Sequence, residues 1–494
     1  MNVKIISGFI CIALFGAVVN GQVRQPHSLY FMNTIPQVTQ MNPAAQPRAN
    51  VHVILPANVN VDILNDLAVK DILQKRGNKW YSPIEEEYDY AKLRKFTGKK
   101  ATMFNEAIDL DLLGFGFRFG DGYFSFGLSE HVSVNNALPT DLFKVTENGF
   151  PDKSKLDFSP MRTQAIGYMQ FLIGYSHKIN ERLTVGMNVK PLLGQAAVAT
   201  KIQKININTR LQQWDADVKG NVYSSAPVEI FLKEDNRNKI DNIEFRDFDD
   251  YESRDWVNYG MSFNNPGIAF DLGAEYQLDE RIMLSASLNN LGFISWKSDL
   301  NSVSFDGKYT FDGVYSDVSE EYGKDEQDFL DDLWNELEAI VDYRVKHDKF
   351  STPLAPVLHM GASYSLSKSL SAGFLSRTVF WKNAVRQSFN LSAYLQPYSF
   401  VSVNAGLTYQ VKGNVYLGGG LMFQLGPLPL QVYILTDYLP VFYSTIRTGT
   451  DGDVEFPVSE RQKSFTVRAG LNLTFGRHGY TNRPMLDKGK SSWN

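Results

Sequence analysis

The sequence predicts an all-β protein: a transmembrane antiparallel β-barrel of about 14 strands (range about 12–16), with long extracellular loops containing short helices. Three observations predict it. Strand-like alternation recurs along the chain in runs long enough to span a bilayer. Tight turns and long excursions take turns as the connections between those runs. Beyond the first residues, no apolar run approaches the roughly 18 residues of a membrane helix, so a closed barrel is the remaining way to satisfy a backbone in lipid.

Alternation is cleanest at Ser464–Phe475. Phe465, Val467, Ala469, Leu471, Leu473 and Phe475 share one face, and Thr466, Arg468, Gly470, Asn472 and Thr474 share the other. Strict period two over about eleven residues is a strand signal, longer than the five or six residues of most soluble strands. The expectation is that the apolar face meets lipid and the face with Arg468 meets a wet lumen.

Bulk composition agrees with a barrel. The chain has 494 residues, 13% of them aromatic. Its mean hydropathy is −0.24, as expected when half of each strand faces water and the loops are polar. The formal charge of −5 gives no basic footprint, which argues against a nucleic-acid partner.

Met1–Gly21 reads as a secretory signal peptide, with Lys4 as its charged region and Ile5–Val19 as its apolar core. Val19 and Gly21 fit the small-residue rule, so cleavage is expected between Gly21 and Gln22. The alternative, a membrane anchor, would be short for its task. The single cysteine, Cys11, lies inside this apolar core. The mature chain would then offer no disulfide, thiolate metal site or cysteine nucleophile.

Gln22–Asn50 is polar, punctuated by proline and without period. It either runs over a surface as a periplasmic leader or fills a cavity. Residues 51–475 form the expected barrel. Val51–Val61 is its first strand, interrupted by Pro56, and Asp62–Arg76 reads as helical, with Gly77 as its stop. Ile108–Phe119 and Tyr123–Val132 form a hairpin around Gly120-Asp121-Gly122. After the polar stretch Ser133–Gln164 come Ala165–His177 and Leu183–Leu193, which turn near Asn180. Thr200–Arg210 and Trp214–Tyr223 look like a more polar pair. If that pair rises above the membrane the count is about fourteen, and if it is embedded about sixteen.

Gly267–Leu278 and Ile282–Gly292 form another hairpin, with Trp296 expected at a membrane interface. The excursion Gly292–Thr352 carries the best amphipathic helix, Asp325–Val345. The remaining strands are Pro356–Leu366, Leu370–Phe380, Gln387–Leu395, Phe400–Val411, Val415–Leu425, Leu430–Thr436 and Ser464–Phe475. Gly476–Asn494 is a polar tail. Every long connection falls on one end of such a barrel, which makes that end extracellular.

Motifs for catalysis are missing. The seven histidines are scattered without ligand spacing. Asp235, Asp241, Asp247, Asp249 and Asp250 could bind calcium, but Arg237, Lys239, Arg246 and Arg254 interleave them, as in a solvated charged loop. The chain is therefore expected not to be an enzyme and to need no cofactor.

Asn42-Pro43-Ala44, Ser287-Leu288-Asn289-Asn290-Leu291-Gly292-Phe293-Ile294-Ser295-Trp296 and Asp111-Leu112-Leu113-Gly114-Phe115-Gly116-Phe117 carry a resemblance. With them the chain resembles an uncharacterised Bacteroidetes-type outer-membrane family. That family is related to the long-chain fatty-acid transporter barrels and to the barrel subunits of the type IX secretion system. The transporter relatives imply a fourteen-stranded barrel in the Gram-negative outer membrane with the N-terminal segment plugging the lumen. Here that segment is residues 22–50, with Asn42 and Pro43 as its motif. The tail after Phe475 departs from barrels that end on a terminal aromatic.

Two functions follow as expectations. One is a passive channel or transporter for a hydrophobic small molecule. The other is a non-transporting accessory or scaffold barrel with a protein partner in secretion or surface assembly.

Overall fold

The computed structural model describes residues 25–68, 71, 73–76, 79–81, 100–148, 152–210, 213–232, 240–245, 260–311, 343–381, 384–411, 415–425, 428–439, 444–448, 454–458 and 463–477. Fourteen antiparallel strands close into a barrel. Strand β1 runs in two pieces, Ala49–Ile54 and Asn58–Asn65, on either side of the Pro56 turn. Next come β2 (Ala101–Phe119), β3 (Gly122–Pro139), β4 (Arg162–Lys178) and β5 (Leu183–Arg210). Strands β6 (Pro266–Gln277), β7 (Ile282–Trp296), β8 (Val357–Ser365), β9 (Leu370–Trp381) and β10 (Ala384–Tyr398) follow. The last four are β11 (Val401–Gln410), β12 (Val415–Gln424), β13 (Leu430–Thr436) and β14 (Ser464–Arg477). Strand β14 closes the ring, pairing β13 on one side (Val432↔Leu471) and β1 on the other (Val51↔Phe475, Val61↔Val467).

Faces follow the alternation. In β14, Thr466, Arg468, Gly470 and Asn472 are buried, and Phe475 is exposed. The outer surface carries Leu391, Leu417, Met360 and Phe374, each about half exposed. This is the apolar belt a barrel presents to lipid. Among the described residues, no helix is long and apolar enough to cross a membrane.

Six short connections lie at one end, at residues 120–121, 179–182, 278–281, 366–369, 399–400 and 425–429. Gly120 takes φ +59°, which a side chain would disfavour. The long connections, 66–100, 140–161, 297–356 and 437–463, all leave from the other end. An epitope tag at Asp317 should therefore be labelled on intact cells, and a tag in the Lys368 turn only after permeabilisation. The reverse pattern would invert the topology.

Asp62–Asn65 is the upper end of β1 and Gln74–Arg76 is a short strand, so the helix expected over Asp62–Arg76 does not form as such. The alternation of Asn58, Asn60 and Asp62 (buried) with Val59, Val61 and Ile63 (outward) runs through its start. Strand β5 does not stop at Leu193 but continues to Arg210. Its upper part carries a small sheet above the ring, with residues 213–225 pairing it and residues 300–311 pairing those. The ambiguous polar pair is thus outside the ring, and the count is fourteen.

Trp296 is not at an interface. It is fully buried among Leu192, Ala269 and Ile294, and its Nε1–H donates to Thr352 Oγ1 at 2.9 Å. The helix expected over Asp325–Val345 lies outside the described residues, except that Tyr343–Lys346 is a short strand. Outside them too are residues 1–24, with the Gly21/Gln22 cleavage site, the tail beyond Arg477, and the acidic stretch apart from Asp241. A helix not foreseen in the sequence, Thr140–Asn148, follows β3.

Candidate functional site

The lumen does not hold the wet path expected beside Arg468. Residues 25–48 fill it, through two short 3-10 turns, His27–Leu29 and Pro36–Gln40. Leu29, Met32 and Ile35 are fully buried inside the barrel. This segment lies inside a ring whose wall is largely polar, so its backbone and amides find wall partners. Gln37 and Asn472 exchange side-chain hydrogen bonds at 2.8 and 3.0 Å. Asn188 Nδ2 donates to Thr39 O at 3.2 Å.

The Asn42-Pro43-Ala44 turn has a prepared seat. Asn42 Oδ1 accepts the Ala44 N–H at 3.0 Å, closing an Asx turn. The turn rests on Gly186 of β5 and Gly273 of β6, which face each other in register. A Cβ on Gly186 would come closer than 3.0 Å to the Pro43 carbonyl, and one on Gly273 equally close to Asn42 Oδ1. Two glycines side by side make a flat patch where backbone can lie against backbone. Strand β7 holds the approach to the turn. Ser287 Oγ donates to Met41 O at 2.6 Å, and Asn289 Nδ2 to Gln40 O at 2.9 Å. The next residue, Asn290, sits at φ 62°, and its N–H donates to Asp271 Oδ1 at 2.8 Å. The Ser287–Trp296 motif therefore grips the segment and forms a bulge beside it.

Gly273→Trp should unseat the turn while leaving the ring paired. The expected result is cleavage within residues 25–48 by added protease, with the heat-modifiable barrel band retained. An uncut segment would contradict the seat.

Three charged contacts tie the segment to the wall. Arg468 pairs with Asp111 at 2.6 Å, both nearly buried, and its guanidinium also donates to Gln25 and Gln40 of the segment. Arg377 Nη1 donates to Gln25 O at 2.7 Å. His27 meets Asp437, just beyond β13, through Nδ1 at 2.5 Å, and its backbone N–H donates to the same carboxylate at 2.7 Å. Burial alone would push the Asp437 acid up, but the His27 ring, the hydrogen bonds and the Arg377 guanidinium outweigh it and hold it below the usual range. A depressed carboxyl loses its contribution only as pH falls through the depressed value. Mild acidity should therefore not release this clasp through Asp437.

Apolar contacts add to the polar ones. Leu29, Met32, Ile35 and Met41 cover a lumenal patch of Leu375, Tyr394, Met422, Tyr433 and Leu435. On the opposite wall a polar cavity of about 60 Å³ remains, with Gln25, Asp109, Ser129, His131, Gln170 and Lys190 among its lining. Among the described residues, no group of three or more His, Cys, Asp or Glu could hold a metal ion.

Sequence reasoning singled out Asn42 and Pro43 and left out Gly186, Gly273, Arg468 as a segment ligand, and the His27 and His131 contacts. Those depend on which strands stand side by side. The available signal was the small residue at alternate positions of β5 and β6.

No curated protein matches the chain. Three solved structures are similar in outline. The Ralstonia pickettii toluene transporter TbuX is 11% identical, with 90% of this chain and 95% of that one covered at a TM-score of 0.40. The Pseudomonas putida toluene transporter TodX is 9% identical, with 90% and 95% covered at 0.40. A Pseudomonas aeruginosa FadL homologue is 11% identical, with 93% and 100% covered at 0.42. At such values these likenesses carry no argument about what this chain binds. Residues 43–437 match the model of the family of unknown function DUF5723, and the chain belongs to that family.

Proposed function

We propose that the protein is an outer-membrane channel that passively admits a hydrophobic small molecule and is gated by its own N-terminal segment. The observation that carries this reading is the covered patch. A purely polar pore has no need of Leu375, Tyr394, Met422, Tyr433 and Leu435 on its lumenal wall. With the segment in place its own apolar side chains occupy them. With the segment withdrawn, an apolar solute would gain roughly 25 cal/mol for each Å² of that surface it covers. The remaining cavity is polar, so the segment must shift before an apolar ligand can sit. The outward apolar belt supports residence in the outer membrane.

A second reading, an accessory barrel for secretion or surface assembly, has one observation in its favour. The sheet raised on β5 extends beyond the ring and offers a surface to a protein. Uptake of a labelled long-chain fatty acid, and of toluene, by intact cells separates the two. The channel reading expects uptake to rise several-fold on expression, to rise further with Gly273→Trp, and to fall with Leu375→Ser and Leu435→Ser. Uptake indifferent to expression, with a protein co-purifying in fixed ratio, would support the second.

A further inference from the structure

Two lumenal histidines make the same chain of contacts in different surroundings. His27 Nε2 lies 2.9 Å from Ser388 Oγ, and its Nδ1 meets Asp437. The ring is fully buried, and Asp437 also accepts the backbone N–H groups of His27 and Ser28. That set fastens the segment to the wall. His131 Nε2 likewise lies 2.9 Å from Ser129 Oγ, and its Nδ1 meets Asp109 Oδ1. This set opens on the 60 Å³ cavity.

We propose that Ser129, His131 and Asp109 form a hydrolytic site for a short acyl ester. A serine needs an adjacent base, and the base a third group to fix its tautomer and ring. Strand geometry supplies all three. Ser129 and His131 are two residues apart on the lumenal face of β3, and Asp109 of β2 is the register partner of His131. The other Asp109 oxygen accepts Gln25 Nε2 at 3.3 Å and Asn60 Nδ2 at 3.4 Å, which fixes the carboxylate. Tyr168 stacks on the imidazole with centroids 4.9 Å apart and planes at 18°. Gln170 Nε2 donates to Ser129 Oγ at 3.4 Å, so an amide N–H stands beside the nucleophile. Leu172 and Tyr168 give the cavity its apolar side. The cavity is small, about 60 Å³, which limits the acyl group to a short one.

In the first step Ser129 Oγ bonds to the ester carbonyl carbon and its proton passes to His131 Nε2. The bond from that carbon to the alkoxy oxygen then breaks, and the alcohol leaves with the proton from His131. Water adds to the acyl-serine by the same route, with His131 taking its proton. A carboxylic acid departs and Ser129 is restored. Asp109 is a positioning residue that faces the imidazolium in both halves. The site does not depend on the channel reading, because a nucleophilic serine can be read without transport.

The test uses the full chain in detergent, a fluorophosphonate probe and p-nitrophenyl acetate. Expected are probe adduct on Ser129 by peptide mass and its loss in Ser129→Ala. His131→Ala should lower hydrolysis by about 10²-fold or more. Ser125→Ala, another lumenal serine of β3, should keep both adduct and hydrolysis. Gly273→Trp, which loosens the segment, should speed labelling. Heat-modifiable migration establishes that each variant is folded. Adduct surviving in folded Ser129→Ala would overturn the proposal. So would its absence from both wild type and Gly273→Trp.

Discussion

Arg468→Met is expected to destabilise the barrel by about 3–5 kcal/mol, because it leaves a buried carboxylate without its cation. Asp111 is 6% exposed and Arg468 2% exposed, so water cannot replace the lost partner. The same change removes the donors to Gln25 and Gln40, so the segment should loosen as well. Adding Asp111→Asn removes the stranded charge and should recover much of the loss. Denaturant unfolding in detergent micelles measures both variants. A single variant within about 0.5 kcal/mol of wild type, the range of ordinary surface substitutions, would show that the pair is solvated and the lumen wet.

Leu471→Arg and Asn472→Arg, one residue apart on β14, are expected to fail differently. Leu471 points outward beside Val432, and arginine on the lipid face near mid-membrane costs about 2–4 kcal/mol. That variant should lose heat-resistant migration on cold gels. Asn472 is fully buried against Gln37 and Gln431. A guanidinium there has no room while residues 36–40 occupy the lumen. The barrel should still form, but the segment should become open to protease. A wet lumen would have made this second change harmless. Equal loss of the barrel in both variants would mean that the two faces are not lipid and lumen.

Most of the ring could be read from the sequence because most strands have a largely polar lumenal face and an apolar outer face, which makes period two visible. Period two fades where that contrast is lost. Leu64 points inward and, next to Ile63, breaks the alternation at the top of β1. Its neighbourhood includes Leu67, which packs with Leu138 and Phe143. That apolar cluster imitates a helical stripe. The middle of β5, Gly194-Gln195-Ala196-Ala197, holds three residues with little or no side chain and one polar one, too weak a pattern to signal a strand, so one strand looked like two. Trp296 looked like a girdle residue because sequence gives a tryptophan's place along a strand and not the face it turns to.

Little of the site was legible, for one reason. Asn42-Pro43-Ala44 announces a turn, but its seat is two glycines on strands paired through a register that only the folded ring sets. The Asp109–His131 pairing crosses from β2 to β3, with a bulge between Asp111 and Leu113 to offset any counted register. Scattered histidines in a linear reading become neighbours of carboxylates once strands are side by side.

If its own N-terminal segment closes this ring, removing that segment should open it. Single-channel conductance in planar bilayers tests this most directly, comparing the full chain with one lacking residues 25–45, each checked for heat-modifiable migration. A nearly silent full chain is expected, with stable, large conductance steps from the shortened one. A shortened barrel that folds yet stays as silent as the full chain, or a full chain that already conducts in large steps, would contradict it.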